Sequence, residues 1–77
     1  MANAIPMGIN DIMLRTIKMI IARKCVAGQQ PLQATAMEVY RQTSLPVAEQ
    51  LTYARELELQ GVIVVGNTFN DTYYKLV

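Results

Sequence analysis

Residues 35–65, TAMEVYRQTSLPVAEQLTYARELELQGVIVV, decide how this chain folds. Thr35-Ala36-Met37-Glu38 has the form of a capping box. The threonine hydroxyl can accept from the third amide of a helix while Glu38 reaches back to the Thr35 N–H. That helix takes its apolar face from Met37, Val39 and Tyr40 and runs into a turn at Thr43-Ser44-Leu45-Pro46. Pro46 suits the first turn of a following helix, where its missing N–H is not needed, and Ser44 is placed to cap it. Val47, Leu51, Ala54, Leu57 and Leu59 form the buried side expected for this third helix, which Gly61 ends. Val62-Ile63-Val64-Val65 is a β-branched run of strand type.

Downstream, Gly66 to Asp71 is rich in turn residues, and Thr72 to Val77 alternates like a second strand, so the two runs read as a hairpin. Tyr73 and Tyr74 point to opposite faces of that strand, one to the core and one outward. Upstream, Pro6 and Gly8 mark residues 1–8 as an irregular arm. A first helix runs from Asn10 or Asp11, either of which can cap it, to Ala27, with Arg23 and Lys24 in the last turn and Gly28 as the stop. Between the first and second helices, Gln29 to Ala34 is a connector with a short strand expected near Leu32.

The first helix carries two apolar stripes. Met13, Leu14, Ile17, Ile20 and Ile21 follow the spacing of a core-facing side. Ile12, Met19 and Val26 recur every seven residues on another side. Three readings account for that second stripe: cover by Ile5 and Met7 of the arm or by the last strand, a homodimer contact through this helix, or a scatter of exposed apolar residues without a partner.

A chain of 77 residues is one domain, and at this size only roughly 60% of the unfolded surface is buried. Charged residues make up 17% of the chain and apolar ones 52%. The charged share is below the usual quarter, which favours a face covered by a partner. Net charge is +1, with five cations against two acids over residues 9–45 and two against four over 46–77. There is no histidine and a single cysteine, Cys25. The commonest general base is therefore missing, and a disulfide framework or cysteine zinc cluster is ruled out. No enzyme activity, metal or cofactor is expected. Cys25, Met7, Met13 and Met19 are expected as core filler. No apolar run is long enough for a membrane span, and the N-terminus has neither the basic nor the apolar region of a secretory signal. A cytoplasmic protein is expected.

Helix, turn, helix and hairpin in this order resemble small bacterial and phage transcriptional regulators of the winged helix-turn-helix family. The carrying pieces are Thr35-Ala36-Met37-Glu38-Val39 and Arg55-Glu56-Leu57-Glu58-Leu59-Gln60-Gly61-Val62-Ile63, and the resemblance covers roughly residues 9–77. It implies an α+β winged helix of three helices and a C-terminal hairpin wing. It also implies sequence-specific binding of double-stranded DNA, with the third helix (about 46–60) in the major groove and the 66–71 wing on the backbone. By position, Ala48, Glu49, Gln50, Thr52 and Tyr53 would face bases. Gln50 suits an adenine edge and Glu49 a cytosine amine. Arg55, Thr43 and Ser44 would contact phosphate, and Asn67 and Lys75 are the wing's contributions. The third helix departs from the family habit in having one cation beside three glutamates, and residues 66–71 carry no cation. Either two domains combine to bind DNA, or the module binds protein instead.

Overall fold

The computed structural model describes residues 8–77, in the order α1 (Ile9–Ala27), β1 (Ala34–Thr35), α2 (Ala36–Thr43), α3 (Val47–Leu59), β2 (Ile63–Asn67), β3 (Thr72–Leu76). The arm expected over residues 1–8, with Ile5 and Met7, lies outside the described residues except for Gly8. The three strands form one antiparallel sheet in the order β1-β3-β2, with Ala34 opposite Tyr74 and Val65 opposite the same tyrosine from the other side. The domain is thus a small α+β unit of three helices and a three-stranded sheet, an arrangement compatible with a winged helix.

Several element boundaries follow from local chemistry. The capping box at α2 is formed: Glu38 N–H donates to Thr35 Oγ1 at 3.2 Å, and Thr35 N–H donates to Glu38 Oε1 at 3.0 Å. Gly28 and Gly61 end their helices with φ of 70° and 76°, a region that costs glycine nothing. At the start of α1 the cap is Gly8 and not Asn10 or Asp11. Asp11 lies one turn in and accepts from the Gly8 N–H at 3.3 Å, while Asn10 Nδ2 donates across to Glu56 of α3. Ser44 does not cap α3. It closes α2 in the left-handed region with φ 62°, and Pro46 precedes the first residue of α3. β1 falls at Ala34–Thr35, two residues past Leu32, because only there does the backbone meet β3.

The core stripe of α1 is as its spacing requires: Met13, Ile17 and Ile20 are buried, with Leu14 and Ile21 packed against them. Ala34, Ala36, Val39, Ala54, Leu57, Ile63 and Tyr74 complete the core. Met37 and Tyr40 are exposed, leaving Val39 and Ala36 as the buried side of α2. In α3 the buried positions are Gln50, Ala54 and Leu57: Ala54 and Leu57 are as expected, Gln50 joins them, Val47 in the first turn and Leu59 in the last are exposed, and Leu51 is half-buried. Cys25 is exposed, so it is not core filler. Among the described residues no helix is long and apolar enough to cross a membrane.

Candidate nucleic-acid interface

The phase of α3 decides which of its side chains can meet a ligand. At about 100° per residue, Ala48, Thr52, Arg55 and Leu59 fall on one line along the outward face, opposite Gln50, Ala54 and Leu57. All four are exposed. Glu49 and Glu56 lie on one flank, and Leu51 and Glu58 on the flank toward the hairpin. There a shallow groove is lined by Leu51, Arg55, Glu58, Leu59, Val65 and Asn67.

Two of the three α3 glutamates have structural partners. Glu56 accepts from Asn10 of α1, which ties the start of the first helix to the third. Glu58 Oε2 accepts the Val65 N–H at 3.2 Å. Because β2 is an outer strand of the sheet, this carboxylate covers an amide that pairing with β3 leaves open. Only Glu49 is left at the start of α3 with no partner among the described residues. These bonds leave both carboxylates charged and exposed, but fix their direction toward the flanks of the outward line.

Of the residues expected at bases or phosphate, Ala48, Glu49, Thr52 and Arg55 are exposed on α3, and Asn67 and Lys75 on the hairpin. Tyr53 is half-buried and packs against the core with part of its ring. Gln50 is a clear correction. It is 0% exposed; its Nε2 donates to the carbonyls of Ala36 (3.1 Å) and Leu45 (2.8 Å), and its Oε1 accepts from the Tyr74 hydroxyl (2.9 Å). An amide held at both ends inside the core cannot read a base. Burial removes water from the Tyr74 phenol and, with a smaller contribution from the Asp71 charge, pushes it up to about 12. The phenol thus stays a donor to Gln50 well into the alkaline range. Thr43 is also withdrawn as a phosphate donor, since its hydroxyl donates to the Val39 carbonyl at 2.7 Å and accepts from the Leu45 N–H at 3.2 Å. Ser44 remains exposed at the turn.

The hairpin tip spans Thr68 to Asp71 and is closed by its own bonds: Thr68 N–H donates to the Asp71 carbonyl at 2.7 Å and Asp71 N–H to Thr68 Oγ1 at 3.1 Å. The strands extend through Gly66 and Asn67, so the tip is shorter than the expected 66–71 loop. Gly66 makes room for the Tyr73 ring: a Cβ there would stand 2.3 Å from Cζ of Tyr73 and push the ring aside. Tyr74 is the core tyrosine and Tyr73 lies on the other face, with the Lys75 ammonium 5.5 Å from its ring centre. Asn67 Oδ1 accepts from the Thr72 hydroxyl at 2.9 Å. Phe69 stands fully exposed at the tip, a position the hairpin spacing alone leaves open.

Beyond α3 and the hairpin, the remaining cations, Arg15, Lys18, Arg23, Lys24 and Arg41, lie on α1 and α2. Lys24 is the one with an ion pair among the described residues: its Nζ is 2.7 Å from Glu38 Oε1 and also donates to the Gln33 carbonyl. Burial alone would raise the Glu38 carboxyl, but the Lys24 bond, the Thr35 N–H and the Lys24 charge outweigh it and hold the carboxyl below its ordinary value.

Comparison of the chain with protein-family models, with curated proteins and with solved structures returned no match.

Proposed function

We propose that this domain is a winged helix that binds double-stranded DNA through the outward line of α3 as a transcriptional regulator. The supporting observation is the outward face of α3 beside the hairpin. Ala48, Thr52 and Arg55 stand exposed along it, while Glu56 and Glu58 are turned to Asn10 and Val65. The helix thus offers a small side chain, a hydroxyl and a guanidinium, a set that fits a major groove without a carboxylate at its centre. Glu49, at the first turn, is placed to accept from a cytosine amine.

The phosphate contacts in this reading are few. Arg55 on α3 and Lys75 on the outer face of β3 are the cations of the helix and the hairpin, and about two phosphates are neutralised per domain in this reading. A log–log salt slope near −2 follows, from about −0.9 per phosphate. The test is an amide-shift titration of labelled protein with short duplexes at low salt. Shifts at residues 47–55 and 67–75, with the salt slope reduced by about one unit in Arg55→Ala, are expected. A folded protein with no shifts at low salt overturns the reading.

A second reading, a winged-helix module that binds protein, is favoured by Phe69. A fully exposed aromatic on a tip without cations suits an apolar pocket better than a phosphate backbone.

A further inference from the structure

One side of α1 has no partner among the described residues. Ile12, Met19 and Val26 recur at heptad spacing with Ala22 between them. Val26 is 91% exposed, Ile12 is exposed and Met19 half-buried. A shallow hollow runs along Met19, Ala22, Arg23, Val26 and Ala27. The intervening positions are Arg15 and Ala22, and over the second half of the helix, where Ala22 separates Met19 from Val26, an apolar repeat with a small residue between its members is a surface that a second helix packs against. The described part of the last strand does not cover it.

The charge around the stripe says which helix. Arg15 lies within the stripe, one heptad before Ala22; Lys18 borders it on one side and Arg23 on the other, and Arg41 of α2 joins Arg23 around the neighbouring cleft. None of these four has an ion pair among the described residues, and Glu38, beside Arg23 and Arg41, is engaged by Lys24. The one acid on α1 is Asp11. Pairing with a second copy brings like charges together. An antiparallel arrangement about Met19 sets Ile12 opposite Val26 but Arg15 opposite Arg23, and a parallel one sets each cation against itself. Like charges across a helix pair select against it, and opposite charges select for it.

We propose that this face of α1 docks an amphipathic helix of a partner protein that carries apolar residues on its seam and carboxylates on its flanks. The partner's apolar residues pack over Ala22 between Met19 and Val26. Its flanking carboxylates meet Arg15, Lys18 and Arg23. This surface lies on another element from the α3 line, so docking does not depend on DNA binding.

The test uses two synthetic helical peptides of 19 residues, the length of α1. They share one leucine seam, and one carries glutamates on its flanks where the other carries lysines. Binding is followed by amide shifts and calorimetry. The glutamate peptide is expected to shift residues 12–27, and to bind roughly tenfold or more tightly than the lysine peptide. Its affinity should fall as salt rises. Arg15→Glu/Arg23→Glu should reverse the preference. Ala22→Arg, at an exposed position that leaves the fold intact, should weaken both peptides. Arg55→Ala should change nothing, which separates this result from the DNA reading. No binding, equal binding of the two peptides, or shifts outside α1 would overturn the proposal. So would concentration-dependent self-association abolished by Ala22→Arg, which makes a second copy the occupant.

Discussion

Replacing Gln50 and Tyr74 singly and together tests whether the core of this domain is tied by a polar clamp. A 77-residue domain has a total stability of about 4–12 kcal/mol. Gln50→Leu keeps most of the side-chain volume, so a cavity adds little. It leaves the Tyr74 hydroxyl, which has no exposure, without its acceptor, at a cost of about 1–3 kcal/mol. The Ala36 carbonyl stays within the α2 ladder, and the part-buried Leu45 carbonyl can turn to water, so these two losses add roughly 1 kcal/mol. Tyr74→Phe orphans Gln50 Oε1 and costs about 1–2 kcal/mol. In the double variant both orphans of the 2.9 Å bond are gone together. Its cost should fall short of the sum by about 1–2 kcal/mol. Urea unfolding of the four proteins reads this directly, since 1 kcal/mol moves the midpoint by up to about 1 M at this size. Additivity within about 0.5 kcal/mol would refute the clamp. The same double variant, if folded, should keep whatever duplex preference the native chain has. Loss of that preference would return Gln50 to the reading surface.

Other outcomes follow from the same structure. Ser44→Gly relieves a non-glycine residue at φ 62° and should raise stability by about 0.5–1 kcal/mol in thermal unfolding. Tyr74, whose folded-state value of about 12 lies above its ordinary 10.0, binds a proton more tightly in the folded chain. Its contribution is therefore complete below pH 10 and should be lost as pH rises toward 12, by about 2–3 kcal/mol at most, and Tyr74→Phe should flatten that alkaline slope. Glu38 runs the other way. Its lowered carboxyl gives stability that is present above its ordinary 4.5 and declines as pH falls through the folded-state value; Lys24→Met should remove most of that acid slope. Glu58→Ala uncovers the Val65 amide on the outer strand, and hydrogen exchange at Val65 should quicken well beyond that of Val64.

Much of this architecture is legible in the chain because its causes are local. The Thr35–Glu38 box, the glycine stops at 28 and 61, and the 13-17-20 stripe of α1 each depend on residues within a turn or two of one another. Capping and periodicity recover them without knowledge of the rest. The candidate interface is legible only in part. Arg55, Thr52 and Ala48 emerge from counting along α3, but their centrality depends on where Glu56 and Glu58 turn, and those partners, Asn10 and Val65, lie on other elements.

What sequence alone could not decide is which side of α3 Gln50 joins. Hydrophobicity favours Val47, Leu51 and Leu59 for the buried side, and by that rule a glutamine belongs outside. Gln50 goes inside because a hydroxyl 24 residues away, the Ala36 carbonyl at the start of α2 and the Leu45 carbonyl in the α2–α3 turn satisfy its amide. A polar group can be buried when its hydrogen bonds are met, and only the assembled fold brings those partners to it. The chain's local chemistry thus fixed the order and the ends of its elements. Tertiary packing withdrew Gln50 and part of Tyr53 from the outward side of α3, and so decided which residues are available to a ligand.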